Sequence, residues 1–264
     1  MKLYSGYIFD MDGVLYRGND VIQDAVETIN VLKRKGLKTV FITNNSSRLA
    51  QEYHSRLLNI GISLIDEGDI ITSGDVAARY LRNELKTYPE RKNVLCLAGE
   101  SVKHLLREIG MEIIDPRDYR KAHYVVAGFN TRFNWELGNY AANAIAIYGA
   151  KFIGTNPDIA KPVENGEIAA GTGAMIAFVE TASQVKATIM GKPYPEIYKA
   201  ALDRMNLGIP ETLMVGDLLI TDIKGALNLG MDAALVLTGI SKREDIGRLG
   251  IKPTYVIESL KELI

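Results

Sequence analysis

The sequence predicts an α/β protein: a doubly wound, mainly parallel sheet interrupted by an inserted α/β domain. Three observations predict it. Short apolar runs alternate with amphipathic helical stretches along the chain. The first strand, helix and second strand form a βαβ unit, which requires a parallel pair. A polar, proline-containing stretch, Lys86-Thr87-Tyr88-Pro89-Glu90-Arg91-Lys92, breaks the pattern before it resumes. On this reading residues 1–85 and 186–264 form the core and residues 86–185 the insert.

Tyr7-Ile8-Phe9 opens the chain as a buried strand and ends abruptly in Asp10-Met11-Asp12-Gly13. Ile22, Ala25, Val26, Ile29 and Leu32 then recur at helical spacing, with Gly36 placed as the stop. Residues 38–43 are β-rich and close on the polar turn Asn44-Asn45-Ser46-Ser47. A short strand over 70–73 precedes a helix over 75–85. In the insert, strands fall over 94–97, 124–127 and 151–154, and helices over 101–109, 135–148 and 173–181. The core style returns with strands over 187–190, 213–215, 233–237 and 255–257, separated by helices.

Composition narrows the function. The chain has 264 residues, 47% of them hydrophobic, enough for a large core, and a formal net charge of −1. No long Lys/Arg run is present, which argues against nucleic-acid and membrane-surface binding. No apolar stretch approaches the length of a membrane span, and the N-terminus lacks a secretory pattern, so the expectation is a cytoplasmic protein. The lone Cys96 excludes an intrachain disulfide and reads as a buried strand residue. His54, His104 and His123 lack metal-ligand spacing, which disfavours zinc.

The chemistry gathers at strand ends. In an extended segment residues i and i+2 point to the same side, so Asp10 and Asp12 can converge on one ligand. Thr43 and Asn44 end the second strand, Lys192 follows the run 187–190, and Asp217 follows 213–215 with Asp222 shortly after. Singly, each has an ordinary explanation: a turn threonine, a loop lysine, a helix-start acid meeting the macrodipole. Together they meet at one edge, because parallel α/β sheets place the carboxyl ends of their strands there. Several like-charged acids need a counter-cation, and all-oxygen ligation suits Mg²⁺ bound with a substrate phosphate. A lysine and a hydroxyl beside it would balance the remaining phosphoryl oxygens.

These motifs resemble a known family. Asp10-Met11-Asp12-Gly13-Val14, Thr43-Asn44-Asn45, Gly191-Lys192-Pro193 and Gly216-Asp217 through Thr221-Asp222 resemble, in order, the four motifs of the haloacid dehalogenase (HAD) superfamily. The long insertion between the second and third resembles its type II cap. Gly154-Thr155-Asn156-Pro157-Asp158 and Ala170-Gly171-Thr172-Gly173-Ala174 resemble the NagD-type branch of nitrophenyl, pyridoxal and phosphoglycolate phosphatases. The resemblance implies a Rossmann-like core and a Mg²⁺-dependent phosphomonoesterase acting on a small phosphorylated metabolite. It implies Asp10 as nucleophile, Asp12 as general acid and base, and Thr43, Asn44 and Lys192 as phosphate holders. It further implies Asp10, the Asp12 carbonyl and Asp217 as metal ligands, with Asp222 orienting Lys192 or a metal-bound water. Asn45, Asn156 and Asp158 are candidate substrate contacts, although Asn156 and Asp158 read first as holding a turn around Pro157. A homodimer joined through caps also belongs to what the resemblance implies.

One stretch departs from the pattern: Leu218-Leu219-Ile220 stands where polar side chains are common, with an expected effect on access or specificity. Gly171-Thr172-Gly173 lacks the third glycine of a dinucleotide fingerprint and reads as a helix start. Two other functions compete with the phosphatase. A phosphotransferase or mutase would pass the same aspartyl-phosphate to an acceptor other than water. A non-catalytic metabolite-binding protein would lack the nucleophile or the acid, and both are present.

Overall fold

The structure is a computed structural model and describes residues 2–162 and 167–264. The chain divides into two units, one of Met1–Thr43, Ala50–Ile71 and Lys192–Ile264, the other of Asn44–Leu49 and Thr72–Gly191.

The first unit carries a six-stranded sheet in the order Tyr255–Ile257, Asp232–Val236, Thr212–Gly216, Gly6–Phe9, Lys38–Thr43, Ile70–Thr72. Gly6–Phe9 lies inside, parallel to both neighbours, with Phe9 opposite Val215 on one side and Phe41 on the other. All four of its residues are buried. Such a strand reads as continuous apolar sequence because helices cover both faces of a parallel sheet. Tyr7, Phe9 and Phe41 stack along one face at ring spacings of 6.0 Å. On the opposite face Ile8, Val40, Ile42 and Met214 are equally enclosed. Helix Gln23–Arg34 buries Ala25, Val26, Thr28, Ile29 and Leu32, and the turn after it passes through Gly36 at φ 76°, a conformation that favours glycine.

The second unit has a five-stranded sheet in the order Thr188–Ile189, Lys151–Gly154, Tyr124–Ala127, Asn93–Cys96, Glu112–Ile113, every neighbouring pair parallel. Leu95, Val125, Ala127 and Phe152 pack with Ala141, Ile145, Ile176 and Val179 of its helices. Cys96 is half-buried in its strand, and burial pushes its thiol up to about 11, which favours the thiol over the thiolate.

Two elements assigned from sequence to the core segments 1–85 and 186–264 lie in the second unit. Thr188–Ile189 pairs with Lys151–Gly154, so the run before Lys192 is an edge of the second sheet. Helix Ser73–Thr87 also belongs there, and a Cβ on Gly74 would lie 3.3 Å from Leu105. Both assignments depend on partners distant in sequence, which local composition does not reveal. The hairpin Tyr16–Arg17 with Asp20–Val21, and the pair Ala160–Pro162 with Ile168–Ala170, are too short for periodicity to announce. No helix among the described residues is long and apolar enough to cross a membrane.

Candidate active site

Asp10 and Asp217 leave adjacent parallel strands at the same end, and the Asp10 amide still donates to the Val215 carbonyl at 2.9 Å. Just beyond, Leu219–Ile223 forms a single π-type turn that brings Asp222 back over Gly216. A Cβ on Gly216 would lie 2.3 Å from that of Asp222, so only glycine permits the approach. Asp10, Asp217 and Asp222 each present a carboxylate oxygen, all within 4.8 Å of one another. Lys192 inserts among them, its Nζ 2.7 Å from Asp10 Oδ1 and 2.7 Å from Asp222 Oδ1. Exposure falls from 13% for the Asp10 side chain to 3% for Lys192 and nothing for Asp222, so these charges interact with little screening by water.

The electrostatics follow from that crowding. Burial, reinforced by the Asp222 charge and opposed by Lys192, raises Asp10 well above the ordinary carboxylate range. Burial and then Asp222 push Asp217 up to about 7. Burial opposes the Lys192 ammonium, but Asp10 and Asp222 outweigh it and its affinity for the proton rises. Asp222 Oδ1, although beside Lys192, has no well-directed hydrogen bond. Three acids around one lysine offer a set of carboxylate oxygens that fits a hard divalent cation.

Asp12 stands apart from this cluster. Its side chain is exposed, and its backbone bridges to Tyr16 while Gly13 turns at φ 79°. Thr43 is buried at the end of its strand. Asn44, Asn156 and Asp158 converge within the second unit. The Asn44 side-chain Nδ2 donates to both Asp158 oxygens at 3.1 and 3.2 Å, and the Asn44 backbone carbonyl accepts from Asn156 Nδ2 at 2.8 Å and Ser73 Oγ at 2.7 Å. The described contacts of Asn156 and Asp158 thus fix Asn44 in place. Asn45 Oδ1 accepts from the amide and hydroxyl of Ser47, a local turn. Gly171 and Gly173 permit close backbone packing, since a Cβ on either would lie 2.1 Å from the carbonyl oxygen of Asp158 or Pro157. Of the apolar segment, Leu219 is enclosed, whereas Ile220 is 50% exposed.

Sequence reasoning passed over the loop Thr238-Gly239-Ile240-Ser241. The Ile240 amide donates to Asp217 Oδ2 at 2.7 Å, and Thr238 Oγ1 donates to the Gly13 carbonyl at 2.7 Å. Its signal was a Thr-Gly pair just past a predicted strand end. It also passed over Tyr198, whose buried hydroxyl lies 3.0 Å from the carbonyls of Thr221 and Asp222.

Comparison with known proteins agrees with this geometry. Residues 7–112 match the family described as haloacid dehalogenase-like hydrolase, and residues 189–263 match a HAD-hydrolase-like family. The chain is 34% identical over 265 residues to the 5'-nucleotidase YutF of Bacillus subtilis, covering 100% of this chain and 99% of that one. A p-nitrophenyl phosphatase from Archaeoglobus fulgidus superposes with a TM-score of 0.91 at 33% identity, over 99% of this chain and 98% of that one. NagD from E. coli K-12 superposes at 0.87 with 30% identity, over 100% and 99%. With an inserted α/β unit and a Lys192-centred cluster of acids at the sheet edge, the chain belongs to the haloacid dehalogenase-like hydrolases, in their NagD-type branch. It is accordingly a hydrolase acting on phosphoric monoesters.

Proposed function

We propose that this protein is a Mg²⁺-dependent phosphomonoesterase that hydrolyses small phosphorylated metabolites through an aspartyl-phosphate on Asp10. The observation that carries the reading is the Asp10 carboxylate seated 2.7 Å from the buried Lys192 ammonium, beside Asp217 and Asp222. Asp10, the carbonyl of Asp12 and Asp217 would hold the cation. When bound it supplies positive charge to the phosphoryl oxygens and favours the anionic form of Asp10.

The remaining work falls to the chain. Asp10 attacks phosphorus: its oxygen forms the new P–O bond as the ester P–O bond breaks. Asp12, whose side chain is exposed, gives its proton to the released alkoxide oxygen. It then takes a proton from water, which attacks phosphorus and frees the Asp10 carboxylate and inorganic phosphate. Lys192 and Thr43 neutralise and orient the phosphoryl oxygens, which in phosphoryl transfer is most of the catalysis. Asp222 accepts from the Leu218 amide at 3.0 Å through Oδ2 and so keeps its carboxylate turned toward Lys192.

The test is phosphate release from nucleoside monophosphates, sugar phosphates, phosphoglycolate, pyridoxal phosphate and p-nitrophenyl phosphate. Each is assayed with and without Mg²⁺, with Asp10→Asn as the blank. Metal-dependent release that disappears in the variant supports the reading. Release that persists in folded Asp10→Asn overturns it, as does undiminished release after chelation.

A further inference from the structure

We propose that the loop Thr238-Gly239-Ile240-Ser241 is a further segment of the active site, with Thr238 and Ser241 positioning Asp217 for the cation. The inference rests on the metal-dependent reading above.

A buried carboxylate that must ligate a cation needs its rotation fixed, since a free rotor would lose conformational entropy on each binding event. Here the Ile240 amide takes Asp217 Oδ2 at 2.7 Å and fixes it. That amide reaches the carboxylate only because the loop backbone runs against it. A Cβ on Gly239 would lie 1.9 Å from Asp217 Oδ2, inside any permitted contact, and one on Gly13 would lie 2.4 Å from the same oxygen. Two backbones therefore close on one side chain from two directions.

Thr238 and Ser241 hold the loop at that distance. Thr238 Oγ1 donates to the Gly13 carbonyl at 2.7 Å, which ties the loop to the turn following Asp10 and Asp12. At the other end the Ser241 amide donates to the Asp217 carbonyl at 3.1 Å, and Ser241 Oγ accepts from the Leu219 amide at 3.0 Å. Ser241 is 3% exposed, so its hydroxyl has no duty toward solvent. The two hydroxyls thus join the segments that bear Asp10, Asp217 and Asp222. Arg17, from the short hairpin, donates to the Thr238 carbonyl from outside.

The experiment is Mg²⁺ titration of the full chain by calorimetry without substrate, for wild type, Thr238→Val, Thr238→Ser and Ser241→Ala. A second readout is the Mg²⁺ concentration for half-maximal phosphate release. Loss of either hydroxyl should weaken Mg²⁺ binding about 10- to 100-fold, the usual cost of removing a residue that orients a metal ligand. Thr238→Ser should restore affinity, and saturating Mg²⁺ should recover most of the rate in Thr238→Val. Wild-type affinity in folded Thr238→Val or Ser241→Ala overturns the inference while leaving the metal-dependent reading intact. Absence of Mg²⁺ binding by wild type instead removes that reading itself. If Ser241→Ala fails to fold, the Thr238 pair decides alone.

Discussion

At the scale of single residues, the site is an exercise in unequal burial. Asp10, Asp217 and Asp222 crowd around Lys192 with little exposure to water, whereas the Asp12 side chain is exposed. In the proposed mechanism the clustered acids serve by position, while Asp12, exposed to solvent, moves the protons. Asp12→Asn should therefore lower turnover about 10²- to 10⁴-fold for alkyl phosphates, the range expected for general acid–base catalysis. The loss should be smallest for p-nitrophenyl phosphate, whose leaving group needs no proton. Comparing the two substrate classes checks this, and equal losses would remove Asp12 from the acid role. Lys192→Met would strand Asp10 and Asp222 without their shared partner. In chelator-treated protein it should cost about 3–5 kcal/mol, as for any broken buried ion pair. Urea unfolding of the variant measures it.

At the scale of elements, strand ends and the turns after them decide what the side chains can reach. Helix Ser73–Thr87 begins with a reciprocal cap: Thr72 Oγ1 accepts from the Asp75 amide at 3.1 Å while the Thr72 amide donates to Asp75 Oδ2 at 2.8 Å. Thr72→Ala should destabilise the protein by about 1–2 kcal/mol, the upper half of the usual capping range because Thr72 is buried. A shifted urea midpoint with an unchanged slope is the expected signature. The strand ends bearing Asp10, Thr43 and Asp217 were legible from sequence because each apolar run stops at a polar residue. Asn156 and Asp158 were only partly legible. Their position in a turn around Pro157 could be read, but their engagement with Asn44 could not, since 112 and 114 positions separate the partners. The loop 238–241 was not legible because it carries no charged side chain and meets the Asp217 carboxylate through a backbone amide, which any sequence supplies.

At the scale of the whole molecule, the raised acids couple folding to pH. Asp217, at about 7 in the folded state, binds a proton that the unfolded chain has already released above about pH 4. The native state thus holds more protons than the unfolded one across that window, and stability without metal should fall as pH rises from about 4 to about 7. Asp10, raised in the same direction, adds to the trend. Added Mg²⁺ favours the anionic acids, so its stabilising effect should grow over the same rise in pH. Melting temperatures of chelated and Mg²⁺-loaded protein across the window test both slopes. A chelated protein that gains stability toward neutrality would contradict the raised proton affinity of Asp10 and Asp217.

By itself the sequence determined the α/β class, the parallel strands and which polar residues stand where the apolar runs stop. These depend on local pattern: apolar runs with a strand's length, helical periodicity, and polar residues where runs end. Only the tertiary structure decided which unit each segment joins, that Lys192 bridges Asp10 and Asp222, and that Gly239 lies against Asp217. Those facts depend on pairing between residues far apart in the chain. Which strand lies beside which is settled by the packing of all of them at once, and no local stretch of sequence encodes it.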